Sequence, residues 1–145
     1  MVTAAWLGAA VLTAGVVAPA AFAVLPSRAL AGALVGRVLP VLSLSGALVA
    51  TLALVVMRGR RALMVRLAPV MWLAAMVVAQ FGVSPRLRVL RERIGPSLEA
   101  LPASDRRRID FGRLHAVSVG LLGVGIVGAG ILLAANRRSA RPTEG

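Results

Sequence analysis

The chain has no cysteine and a single histidine among its 145 residues. Without thiols there is no disulfide framework and no thiolate metal site, and redox compartment leaves no trace in the sequence. Acidic residues are scarce as well: five against 17 basic, all of the latter arginine, for a formal net charge of +12. Aromatic residues make up only 3% of the chain, too few to interleave with the arginines as stacking platforms for bases. The basic balance therefore points away from nucleic acid and toward anionic lipid headgroups. The most informative absence is that of charge itself, because Met1–Ser27, Val38–Met57, Leu67–Pro85 and Leu114–Asn136 contain no charged residue.

What fills those stretches is apolar. The chain is 59% hydrophobic, with a mean hydropathy of +0.87. A helix rises about 1.5 Å per residue and needs about 20 apolar residues to cross the hydrocarbon of a bilayer, so each stretch is at or near span length. The composition predicts an all-α membrane protein, a four-transmembrane-helix bundle with spans near Thr3–Leu25, Arg28–Met57, Ala62–Gly82 and Asp105–Asn136. Residues 1–136 form one membrane domain in this reading, and 137–145 a basic, disordered tail. Ala21-Phe22-Ala23 imitates a signal-peptide cleavage site, but no basic residue precedes Arg28 and the run is longer than a signal core, so an uncleaved helix is expected.

Local signals refine the picture. Ser27 suits the N-cap of a second helix running past Pro40. Gly32 and Gly36 form a GxxxG that admits a close helical neighbour. Arg58-Gly59-Arg60-Arg61 reads as a tight basic turn, and Pro69 falls early enough in the third helix to be harmless. Trp6 and Trp72 suit either interfacial anchoring or packing. Between the third and fourth spans, Leu87, Leu90 and Ile94 alternate with Arg86, Arg88, Arg91 and Arg93 at helical spacing, predicting a short interfacial amphipathic helix that ends at Gly95-Pro96. Ser104 and Asp105 mark the start of the last helix.

In that helix Gly112, Ala116, Gly120 and Gly123, continuing to Gly130 and Ala134, define a small-residue stripe expected to be its packing face. His115, Ser118, Gly125 and Ala129 define a second stripe beside it. Val117, Leu121, Val124 and Ile131 remain for lipid. An up-and-down topology brings Arg37, Gln80, Asp110, His115 and Ser118 to one side of the membrane, where they are expected to gather in a polar vestibule, with Arg37 and Asp110 as an ion pair. The connections on that side carry ten arginines against seven near the termini. Arginine loading then places those connections in the cytoplasm and both termini outside, in a bacterial inner membrane.

Trp6-Leu7-Gly8, Pro19-Ala20-Ala21-Phe22, Ala31 to Arg37 and, above all, Phe111-Gly112-Arg113-Leu114-His115-Ala116-Val117-Ser118 resemble the transmembrane-protein-205-like family. The resemblance implies a small four-helix membrane domain and carries no settled biochemical activity. From the residues themselves the expected role is a noncatalytic membrane component, not an enzyme. It requires no cofactor, associates with itself through small-residue faces and contacts anionic lipid. A solute or ion transporter using the vestibule is the alternative. A haem or metal protein, which needs His115 twice in a homo-oligomer, is the lesser one.

Overall fold

A computed structural model describes residues 1–57, 63–95 and 98–139, with backbone alone at 64, 99, 138 and 139. Among the described residues every element is helical. Four helices are long and apolar enough to cross a membrane. Helix α1 comprises Val2–Leu12, a π-helical turn at Thr13–Val17 and Ala18–Val24. Helix α2 is Arg28–Val56. Helix α3 comprises Leu63–Val77, a second π-helical turn at Val78–Val83 and Ser84–Ile94. A 3-10 turn, Leu98–Ala100, precedes α4, Arg106–Ser139. The Arg58–Arg61 turn and residues 140–145 lie outside the described residues. Residues 137–139, expected in the disordered tail, continue the last helix.

The helix ends follow from local chemistry. Ser27 is extended, and its hydroxyl accepts from the Leu30 N–H at 3.2 Å, capping α2 as the sequence predicts. Asp105, rather than Ser104, caps α4: its carboxylate accepts from the Arg107 N–H at 2.8 Å and pairs with the Arg107 guanidinium at 2.8 Å. That double grip holds the Asp105 carboxyl below the usual carboxylate range. Gly95 ends α3 at φ 75°, a conformation open to glycine, with its N–H on the Arg91 carbonyl at 3.0 Å.

The third helix is longer than the sequence suggests. The basic segment does form an amphipathic helix, but as a direct continuation of the span, which runs Val65–Ile94, rather than as a separate interfacial element. The physical reason is the π-helical turn. Each such turn lies just ahead of a proline, Pro19 in α1 and Pro85 in α3, where the widened backbone shifts the carbonyl that the ring would otherwise strike. In α3 the Ser84 hydroxyl also donates to the Ala79 carbonyl at 2.8 Å.

Helix α1 packs on α2 and α4, and α3 packs on the same two, so the helices close a ring in chain order. At its centre the Trp6 and Trp72 rings meet with centroids 4.6 Å apart, tilted by 46°. Each ring lies against glycines. A Cβ on Gly46 would fall 2.7 Å from Trp6 Cζ2, one on Gly125 3.1 Å from Trp72 Cδ1, and one on Gly128 3.0 Å from Trp72 Cβ and 2.9 Å from the Ala68 carbonyl oxygen. The Gly46 notch also lets the Trp6 indole N–H reach the Leu42 carbonyl at 3.0 Å. Both tryptophans are thus packing residues. Around them lie Ala10, Val49, Ala75, Met76 and Ala129, all buried. Outward-facing Val11, Leu48, Leu52 and Val127 are exposed, as side chains in contact with hydrocarbon should be.

This arrangement corrects the expected packing face of α4. Among the described residues nothing lies within 4 Å of a Cβ added at Gly112, Gly120, Gly123 or Gly130, and Ala116 is exposed. Within the chain the helix packs through Gly125, Gly128 and Ala129, while Leu121, expected to face lipid, is partly buried against the core. Spacing announces that backbones can approach on either face; the two indoles decide which face is used. Gly125→Leu should therefore lower unfolding stability in detergent by about 1–3 kcal/mol through overpacking. Gly120→Leu should change it by about 0.5 kcal/mol or less. Thermal melting of the two variants checks the order, and the reverse order contradicts this core.

The Asp105 cap predicts an acid response. A carboxyl whose folded pKa is depressed contributes stability that is fully present above its unfolded value, near 4, and is lost as pH falls through the folded value. Melting temperature should thus decline below about pH 4. Asp105→Asn, which keeps a cap but no charge, should flatten part of that decline in a melting series across acidic pH.

Candidate functional site

At the end of the bundle that bears the first and third connections, the helices part around a cavity of about 780 Å³. It is built by the last turn of α1 at Phe22, the first half of α2, the extension of α3 and the first part of α4. The extension is the dividing wall. Its residues Ser84, Leu87, Arg88, Arg91 and Glu92 face this cavity. Its Pro85, Arg86, Val89, Leu90 and Arg93 face an outer groove of about 620 Å³, closed on the other side by Asp110, Arg113 and Leu114. Helical spacing of three and four residues sorts one basic segment into two basic faces.

The inner cavity is strongly cationic. Among the described residues Arg28, Arg37, Arg88, Arg91 and Arg108 line it against Glu92 as the one carboxylate, a formal excess of four positive charges. Arg91 is the most closely held. Its guanidinium crosses to α2, where Gly32 and Gly36 leave room: an added Cβ on Gly32 would lie 2.7 Å from Nη2. On its other side Arg91 lies over the Phe111 ring, 5.5 Å from the centroid. Phe111 in turn stacks parallel to His115 at 6.5 Å. Arg108 donates to the Leu101 carbonyl at 2.8 Å, tying α4 to the preceding loop. Among the described residues the ion pairs are Arg107–Asp105 and Arg106–Asp110, so none of the cavity arginines has a carboxylate partner there.

Of the residues expected to form a vestibule, Arg37, His115 and Ser118 do line one cavity. Asp110 does not join them. It faces the outer groove and lies 4.0 Å from Arg106. Adjacent positions on a helix diverge by about 100°, so Phe111 and Asp110 end on opposite sides of the α3 extension. The Arg37–Asp110 pair is therefore not formed. Gln80 is also separate: it sits in the π-helical turn, with its Oε1 buried and without a hydrogen-bond partner among the described residues. The GxxxG at Gly32 and Gly36 serves an arginine rather than a helix backbone.

Sequence reasoning missed Arg91 as a site residue, together with Arg28, Arg88 and Arg108. The one available signal was the three-residue spacing of Arg88 and Arg91 on a face shared with Leu87, which marks a common direction without naming what lies there. No three His, Cys, Asp or Glu side chains converge among the described residues, so a metal reading would rest on His115 of each chain in an assembly.

No curated protein and no solved structure matches the chain. One family's sequence pattern does, over residues 1–95, which take in α1, α2 and α3 with the Gly32/Gly36 notch and the Arg91 that fills it. The chain belongs to the family defined by that pattern, a domain of unknown function designated DUF4149.

Proposed function

We propose that this protein is a noncatalytic membrane component that holds anionic lipid against a basic face at one end of its bundle. The observation that carries this reading is the outer groove. Arg86, Arg93 and Arg113 surround apolar Pro85, Val89, Leu90 and Leu114, with Asp110 as the opposing charge already engaged by Arg106. Guanidinium groups beside an apolar trough suit a phosphate headgroup and the start of its chains. Arginine loading supports an orientation with this end in the cytoplasm and both termini outside, in a bacterial inner membrane. The Phe111–Ser118 element lies beyond the matched residues, and it supports kinship with the transmembrane-protein-205-like proteins. Self-association fits the open Gly112–Ala116–Gly120–Gly123 stripe. The inner cavity, which reaches His115 and Ser118, favours a second reading as a small-solute or ion path.

Reconstitution tests the first reading. In vesicles of mixed phosphatidylglycerol and phosphatidylcholine, the lipid retained with the purified chain should be enriched in phosphatidylglycerol, and more so at low salt. Replacing Arg86, Arg93 and Arg113 together by Gln should reduce that enrichment about twofold or more, at about 1 kcal/mol or less per headgroup charge contact. Equal lipid composition around the original and substituted chains overturns the proposal. Solute flux from the same vesicles, lost in His115→Leu, would instead establish the second reading.

A further inference from the structure

We infer that the inner cavity is a binding site for one anionic amphiphile, a molecule with a phosphate or carboxylate head and an apolar chain. Helix geometry supplies the first argument. Arg37 lies nine residues beyond Arg28 on α2, about 14 Å further along the axis, well past the depth of headgroups if Arg28 stands at the surface. A guanidinium at that depth is expensive and calls for a counter-charge or water. Neither Arg37 nor Arg91 has a carboxylate partner among the described residues, and Glu92 is exposed. Among the described residues the positive charge of the cavity is thus in excess and without a paired carboxylate.

The second argument is preorganisation. Arg91 lies between the glycine notch of α2 and the Phe111 ring, which narrows the directions its planar donors can take before any ligand arrives. A guanidinium confined in this way presents two parallel N–H groups to an oxyanion at a reduced cost of ordering. The third argument is the wall. Phe22, Val35, Leu39, Pro40, Leu87 and Ile94 line the same space. Its volume of about 780 Å³ exceeds what an inorganic anion fills and falls in the ordinary range for organic ligands. Arginines alone would suit any anion; arginines with this apolar lining select one that carries a hydrocarbon portion.

The inference takes its ligand class from the anionic-lipid reading but concerns a separate surface, so the two can fail separately. The full chain, purified in neutral detergent, is examined by native mass spectrometry with phosphatidylglycerol, with phosphatidylcholine, and with phosphatidylglycerol plus excess inorganic phosphate. One phosphatidylglycerol should remain per chain, phosphatidylcholine should not, and inorganic phosphate should fail to displace the lipid. Arg91→Gln and Arg37→Gln should each weaken retention about tenfold, the effect of losing a charge-assisted contact, and Arg91→Lys should fall between. Melting temperatures without lipid report folding; if Arg91→Gln does not fold, Arg37→Gln and Arg88→Gln, both at exposed positions, carry the test. The triple outer-groove variant should keep the single retained lipid while losing general enrichment. Equal retention of both lipids, displacement by phosphate, or retention unchanged by the cavity substitutions overturns the site, whatever the outer groove does.

Discussion

Inside a bilayer the solvent is as apolar as the side chains, so helices are not driven together by burial and must find close, well-fitted contact instead. Here that contact is the pair of indoles at the centre of the ring. Trp6 comes from α1 and Trp72 from α3, diagonal members of the bundle, and they meet because α2 and α4 withdraw at Gly46, Gly125 and Gly128. Four helices are thereby joined at one level by two side chains. The indole N–H of Trp6 finds the Leu42 carbonyl through the same notch that admits its ring, so one glycine serves both packing and polar satisfaction. Because cohesion is concentrated there, the helices are free to part toward the connection end, and the cavity is what that parting leaves.

The spans were readable because charge in hydrocarbon is so costly that its absence marks them almost by itself. Helix α2 was also readable at its start, where Ser27 offers a cap and little else suits the position. The continuation of α3 was not. The sequence places the end of the span near Gly82 and a separate helix after it, and the π-helical turn that reconciles Pro85 with a continuing helix has no sequence signature of its own. The packing face of α4 was half readable: Gly125 and Ala129 stood on the second of two small-residue stripes, and nothing in spacing alone ranks one stripe above the other. That ranking came from Trp72, which lies 53 positions from Gly125 in the chain.

The site shows the same division. Topology sufficed to bring Arg37, His115 and Ser118 to one end, since up-and-down connectivity leaves them little choice. It did not suffice for Asp110, because depth was right and azimuth wrong, and azimuth depends on where the neighbouring helix lies. Arg91 was hidden by its own ordinariness, one arginine in a basic segment. Its distinction comes from the receiving side, where Gly32 leaves the space its guanidinium occupies and Gly36 lies in ordinary contact beside it.

The π-helical turn in α3 also sets an azimuth. A π-helical turn takes up roughly one extra residue, so the residues after it stand about 100° from where an unbroken α-helix would carry them. The face that carries Trp72 and Met76 into the core and the face that carries Arg88 and Arg91 into the cavity are therefore indexed separately along one rod. The turn acts as a phase shifter between an apolar half and a basic half. Were the same residues to run through Val78–Val83 as unbroken α-helix, the helix would stay whole and its arginines would swing away from the notch that receives Arg91.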